Sequence, residues 1–180
     1  NAYIQYIRID DTSYNLDKVK MDKEFKGPLI ELLKEIDIFI KTVVTLPRSV
    51  RQEGSFKDAV IFNYPQLALR ELVMNAIVHR DYEAESPIYI YQFSDRIEIH
   101  NPGGLCMPAR KENFPQVSAY RNPILCEAIK YLGYINRFNF GVRYAQEQLL
   151  KNGSGYAEFN LDLQTKMIVA IPIHPIWLNE

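Results

Sequence analysis

Residues 65–82 read PQLALRELVMNAIVHRDY, and a helix drawn through them sets Glu71, Asn75 and His79 in one row at four-residue intervals. At about 100° per residue the three span an arc of roughly 80°. Leu69, Leu72, Val73, Ala76 and Ile77 cover the far side, and Leu67, Met74 and Val78 make most of the flank apolar. A solvated face would carry Lys and Glu in quantity, so this row is not one. Polar groups on a mostly apolar helix cost free energy unless something bonds to them. Either other protein groups satisfy the row, or a ligand does.

Outward from this segment, the order of periodicities defines the remaining architecture. AVIFNY (59–64) is a short strand before the helix, preceded by a polar turn, SVRQEGSFKD (49–58). PIYIYQF (87–93) and RIEIHNP (96–102) alternate and meet at Ser94-Asp95, the pattern of a β-hairpin closed by the turn NPGG (101–104). From Leu105 to about Ser118 periodicity vanishes, over a length that marks a functional or mobile loop. Pro123 and Gly133 bracket a helix at NPILCEAIKYL, and a further helix, VRYAQEQLLKN (142–152), stops at Gly153. YAEFNLDL and KMIVAIPI form a closing hairpin.

At the other end, AYIQYIRID (2–10) alternates as a strand with no local partner, and Lys23 to about Val44 repeats apolar residues at helical spacing, with Pro28 near its start. These patterns divide the chain into 1–20, the end of an upstream domain or a linker, 21–55, a connecting helix and turn, and 56–180, the main domain. Helices beside paired antiparallel strands predict an α+β fold, a two-layer sandwich of helices on a mixed, mostly antiparallel sheet.

Composition narrows the function classes. The 180 residues are 47% hydrophobic, enough for a full core. Lys plus Arg total 21 against 22 Asp plus Glu, so the chain as a whole exerts no pull on nucleic acid or acidic membrane. Cys106 and Cys126 match no metal spacing, read as core filler, and favour a reducing, cytoplasmic setting. No apolar run approaches the roughly 18 to 20 residues of a membrane span. Because the sequence opens on Asn1 and not Met, the chain is expected to be a piece of a longer polypeptide. P-loop, Rossmann, zincin, C-x-x-C and nucleophile-elbow signatures are all missing.

The chemistry left is that of the helical row. A carboxylate one turn from an amide suits a hard cation such as Mg²⁺, which takes one or two protein oxygens while phosphates supply others. Asn75 would hold the ion and Glu71 accept a proton from an attacking water. His79 and Arg80, at the helix end, reach phosphate or orient the loop. Gly103 and Gly104 permit close approach of a ligand. Arg121, just before a helix N-terminus, is placed for an anion. The structural alternative pairs Glu71 with Arg70, Arg80 or Arg121, uses Asn75 to cap a neighbouring turn, and leaves Gly141 as helix punctuation.

The order ALRELVMNAIVHRDY, IYIYQFSDRIEIHNPGGL, RNPIL, LGYI and a Gly-Val-Arg helix start resembles the C-terminal domain of bacterial Schlafen/AlbA-type transcriptional regulators, a divergent GHKL (Bergerat-fold) ATPase often labelled helicase-related. The similarity runs from about Tyr64 to Gly141, more loosely to Pro172. It implies that Glu71 is the general base, Asn75 the Mg²⁺ ligand, and that adenine lies near NPGG. Asn101 then stands where such ATPases offer an Asp to the adenine amino group. The residue chemistry and the resemblance together give an expected cofactor-binding set of Asn75, His79, Arg80, Asn101, Gly103, Gly104, Arg121, Asn122 and Gly141. Asn139-Phe140-Gly141 replaces the usual Gly-Thr-Gly, and Asn136 the preceding Glu. Residues 1–20 resemble the end of an AlbA-like, DNA-binding domain.

Two functions follow. One is an ATP-binding regulatory domain of a DNA-binding transcriptional regulator, with slow Mg²⁺-dependent hydrolysis. The other is a degenerate ATPase-like fold that binds no nucleotide and serves dimerisation or partner docking. The partner classes are a nucleotide, DNA through a domain outside this segment, and a second copy of the chain, with no membrane.

Overall fold

A computed structural model describes residues 3–117, 119–134 and 141–178. Strands β1 (Tyr3–Ile9), β2 (Val19–Lys26), β5 (Ile88–Gln92), β6 (Arg96–Pro102), β7 (Glu158–Asn160) and β8 (Lys166–Pro172) form one six-stranded sheet in the order β2-β1-β5-β6-β8-β7. Its neighbours are antiparallel except β1 and β5, which run parallel from Ile4 beside Ile88 to Arg8 beside Gln92. The strands β3 (Pro47–Val50) and β4 (Ala59–Phe62) pair separately as a two-stranded ribbon. The α-helices among the described residues are α1 (Leu29–Phe39), α2 (Gln66–His79), α3 (Pro123–Tyr131) and α4 (Gly141–Asn152).

Period-two alternation gives the sheet one apolar face. Ile4, Tyr6, Phe25, Ile88, Ile90, Ile97, Ile99, Val169 and Ile171 are all buried there. Each such aliphatic side chain contributes about 1.5–3 kcal/mol on leaving water. Helix α2 lies against β6 and α4, and closes this core with Leu69, Leu72, Val73, Ala76 and Ile77. The α+β, two-layer arrangement expected from the sequence is the one observed. No helix among the described residues is long and apolar enough to cross a membrane.

Two expectations at the N-terminal end are corrected. The first strand is not unpartnered: β1 lies inside the sheet, bonded to β2 on one side and β5 on the other. Nor does the helix begin at Lys23. Residues 19–26 are a strand, Gly27 takes a left-handed turn at φ +128°, and Pro28 opens α1, which a single π-helical turn (Ile40–Val44) extends. Phe25 fits both patterns, since it lies four residues before Leu29 and also alternates with Lys23 and Met21. Its burial in the sheet core decides for the strand. The polar turn also starts later than expected, because residues 47–50 pair with β4 and leave 51–58 as the turn.

Candidate functional site

Along α2, eight residues are buried, and Glu71, Asn75 and His79 recur among them as partly accessible positions. What they open onto is a cavity of about 560 Å³ whose lining includes all three. That volume lies within the roughly 300–1,000 Å³ of small-molecule sites. The row is thus not a solvated face. Among the described residues no hydrogen bond or ion pair holds Glu71 or Asn75. Burial raises the Glu71 carboxyl above the ordinary glutamate range, with Arg70 pulling weakly the other way.

The N-terminus of α4 forms one end of the cavity. A Cβ on Gly141 would fall 3.0 Å from Glu71 Oε2 and 3.1 Å from Asn75 Nδ2, so glycine lets the helix start rest against the row. The first-turn N–H groups of a helix favour anions, and Arg143, in the same turn, also lines the hollow. This end suits phosphate.

The other walls are mostly apolar. Leu72, Ala76, Ile99, Val169, Met167 and Phe159 contribute from α2 and the sheet. The aperiodic segment from Leu105 to Tyr120 supplies a further wall, including Phe114, whose ring lies 5.0 Å from that of Phe159. His79 stacks on Tyr120 at 5.5 Å with 17° between planes. Burial, and secondarily the Arg121 charge, push the His79 imidazole below its ordinary pKa, which keeps it neutral at neutral pH.

Asn101 is the polar residue among the strand residues that line the cavity. On the inward face of β6 it follows Ile97 and Ile99, is 5% exposed, and lines the cavity, yet its Oδ1 is buried with no hydrogen-bond partner. Leaving such a group unpaired costs about 1–3 kcal/mol. A ligand that draws Oδ1 round into the cavity and bonds to it recovers that cost.

Four of the residues expected to bind cofactor are placed otherwise. Arg80 is 2% exposed, and its Nη2 donates to the carbonyls of Ala84 at 3.1 Å and Ser86 at 2.8 Å, so it clamps the 81–86 turn and does not reach the cavity. Asn122 Nδ2 donates to the carbonyls of Val78 and Arg80, both at 2.8 Å, and so fastens the start of α3 to the end of α2. Arg121 donates from Nη2 to Gly104 O at 3.1 Å and lies 3.8 Å from Asp81, outside the cavity lining. Gly103 takes φ +102°, a conformation side chains rarely adopt, and a Cβ there would lie 3.1 Å from both Arg121 Nε and Asp81 Cβ. Gly104 does line the cavity, although what excludes a side chain there is Gln164 O, 2.5 Å from a hypothetical Cβ. Asn136, Asn139 and Phe140 lie outside the described residues.

Sequence reasoning missed Arg143, Tyr120 and the wall formed by Phe114, Met167 and Phe159. Only Arg143 had a signal, a cation two residues after a glycine at a helix start. Cys106 and Cys126 both line the cavity as free thiols, Cys126 fully buried as a core filler should be. Among the described residues no group of three His, Cys, Asp or Glu side chains could hold a metal ion. A divalent cation here would take few protein oxygens and rely on ligand phosphates, which fits Mg²⁺ beside Asn75.

Residues 85–171 match the family model described as "Putative ATP-dependent DNA helicase recG C-terminal", an HATPase-like domain. The match holds Asn101, Gly104 and Gly141 and stops short of α2. No curated protein matches the chain. The fold is similar to the crystal structure of the DIP2311 protein from Corynebacterium diphtheriae, with a TM-score of 0.83 at 21% identity over 98% of this chain. The chain spans 36% of the length of that protein.

Proposed function

We propose that this domain binds ATP with Mg²⁺ and regulates a larger, cytoplasmic DNA-binding transcriptional regulator of the Schlafen/AlbA type. The observation that carries the reading is the row on α2: on a helix otherwise packed into the core, Glu71, Asn75 and His79 open together onto one cavity. The HATPase-like match over residues 85–171 supports the same ligand class. Triphosphate lies at the Glu71 end, against the α4 N-terminus and Arg143. Asn75 gives its amide oxygen to the cation, and the base occupies the apolar end beside Asn101. Mg²⁺, when bound, supplies neutralisation of phosphate charge.

Hydrolysis, on this reading, is slow and serves switching. Burial makes Glu71 a better proton acceptor than an exposed glutamate, and it takes the proton of a water whose oxygen bonds to the terminal phosphorus as the bond to the departing ADP oxygen breaks. His79, held neutral against Tyr120, orients the ligand by hydrogen bonding and adds no charge.

Thermal unfolding with and without ATP and Mg²⁺ tests this. At a hundredfold excess over Kd, ligand binding adds about 2.7 kcal/mol, a rise of roughly 5–10 °C for a chain of this size. Asn75→Ala is expected to abolish the rise. No shift with any nucleotide would refute the proposal and leave a docking or dimerisation module.

A further inference from the structure

The base end of the cavity presents a carboxamide whose orientation no described residue fixes. Ile97, Ile99 and Asn101 succeed one another on the inward face of β6, and the amide is the polar group in that row. Its Oδ1 is buried and unpartnered. A carboxylate at this position could only accept hydrogen bonds, whereas a carboxamide accepts at one end and donates at the other. Turning the amide by half a rotation about its last side-chain bond exchanges the two ends.

Adenine and guanine differ in just this respect. On the edge carrying the six-position, adenine offers an amino donor beside a ring-nitrogen acceptor, and guanine a carbonyl acceptor beside a ring N–H donor. An acceptor-only group set directly opposite the six-substituent accepts from the adenine amino group and repels the guanine carbonyl. Building on the nucleotide reading above, we propose that Asn101 makes this a purine site that takes adenine and guanine nucleotides with similar affinity, the amide rotating to match whichever base is present. The surrounding wall of Ile99, Met167 and Val169 offers apolar area to either ring and has no hydrogen-bonding side chain to discriminate them.

Competition binding with Mg²⁺-ATP, Mg²⁺-GTP and Mg²⁺-purine riboside triphosphate, which carries hydrogen at the six-position, provides the test on the wild-type chain. ATP and GTP are expected within about tenfold of one another, and the six-unsubstituted purine at least tenfold weaker than both. Asn101→Asp is expected to shift the ATP:GTP ratio a further thirtyfold or more toward ATP. ATP binding with GTP more than a hundredfold weaker in the wild type would overturn the purine inference and leave the ATP reading standing. If the six-unsubstituted purine binds as well as ATP, Asn101 does not read the base. Binding of none of the three would overturn both readings. Because the wild-type comparison decides the matter, a misfolded Asn101→Asp variant does not protect the proposal.

Discussion

Replacing Gly141 with alanine separates a ligand site from a packing contact. The new methyl would stand 3.0 Å from Glu71 Oε2 and 3.1 Å from Asn75 Nδ2, closer than carbon normally approaches either. Relief requires both side chains to move by a few tenths of an ångström, and both have the cavity to move into. Folding should hardly notice, since the preference of a helix for alanine over glycine, felt only in part at its first residue, works against a crowding that small movements relieve. The melting temperature is expected to stay within about 3 °C of wild type. Ligand binding has no such offset. Displacing groups that face a charged ligand forfeits hydrogen bonding worth about 1.5–3 kcal/mol, a ten- to hundredfold rise in Kd. Calorimetric titration with Mg²⁺-ATP beside differential scanning calorimetry measures both quantities. Unchanged affinity, or a melting temperature lowered by more than about 6 °C, would refute the reasoning.

Two further outcomes are expected. Burial raises the Glu71 pKa in the folded chain, so the stability tied to its proton is complete below the unfolded glutamate range and lost as pH climbs through the folded value; Glu71→Gln should therefore melt higher than wild type at neutral pH, the gap closing in acid, and an equal gap at pH 4 and pH 8 would contradict this. Asn122→Ala removes two 2.8 Å bonds between α3 and the end of α2; thermal denaturation should show a loss of about 1–3 kcal/mol, while Kd for ATP measured on the folded variant changes by less than about threefold.

Much of the fold is legible in the sequence wherever a single periodicity is bounded by strong punctuation. Pro123 and Gly133 enclose α3, Gly153 ends α4 at φ +83°, and the hairpin of β5 and β6 turns where Ser94 and Asp95 interrupt alternation. The row on α2 is visible because three polar residues share a four-residue spacing on a helix that is otherwise mostly apolar. Strand β2 is not legible, since VKMDKEFK exposes charge on an edge strand and its one deeply buried residue, Phe25, also fits the helical repeat that follows. The pairing of β1 with β5 joins residues more than eighty positions apart and leaves no local trace. Of the two roles expected of Arg80, reaching phosphate or orienting the loop, its bonds to the Ala84 and Ser86 carbonyls fit the second. The cavity wall from Leu105 to Tyr120 has no period at all.

The parallel junction between β1 and β5 also governs how this polypeptide assembles during synthesis. Residues 3–26 can form their hairpin as soon as they emerge, but the other edge of β1 stays open until residues 88–92 arrive. In between, a helix, a ribbon and the whole of α2 must be laid down. Closure over so long a stretch is entropically slow, and an uncovered strand margin invites pairing with other chains. The interval between translation of the first strand and arrival of its distant neighbour is when the nascent domain is most exposed to misassociation.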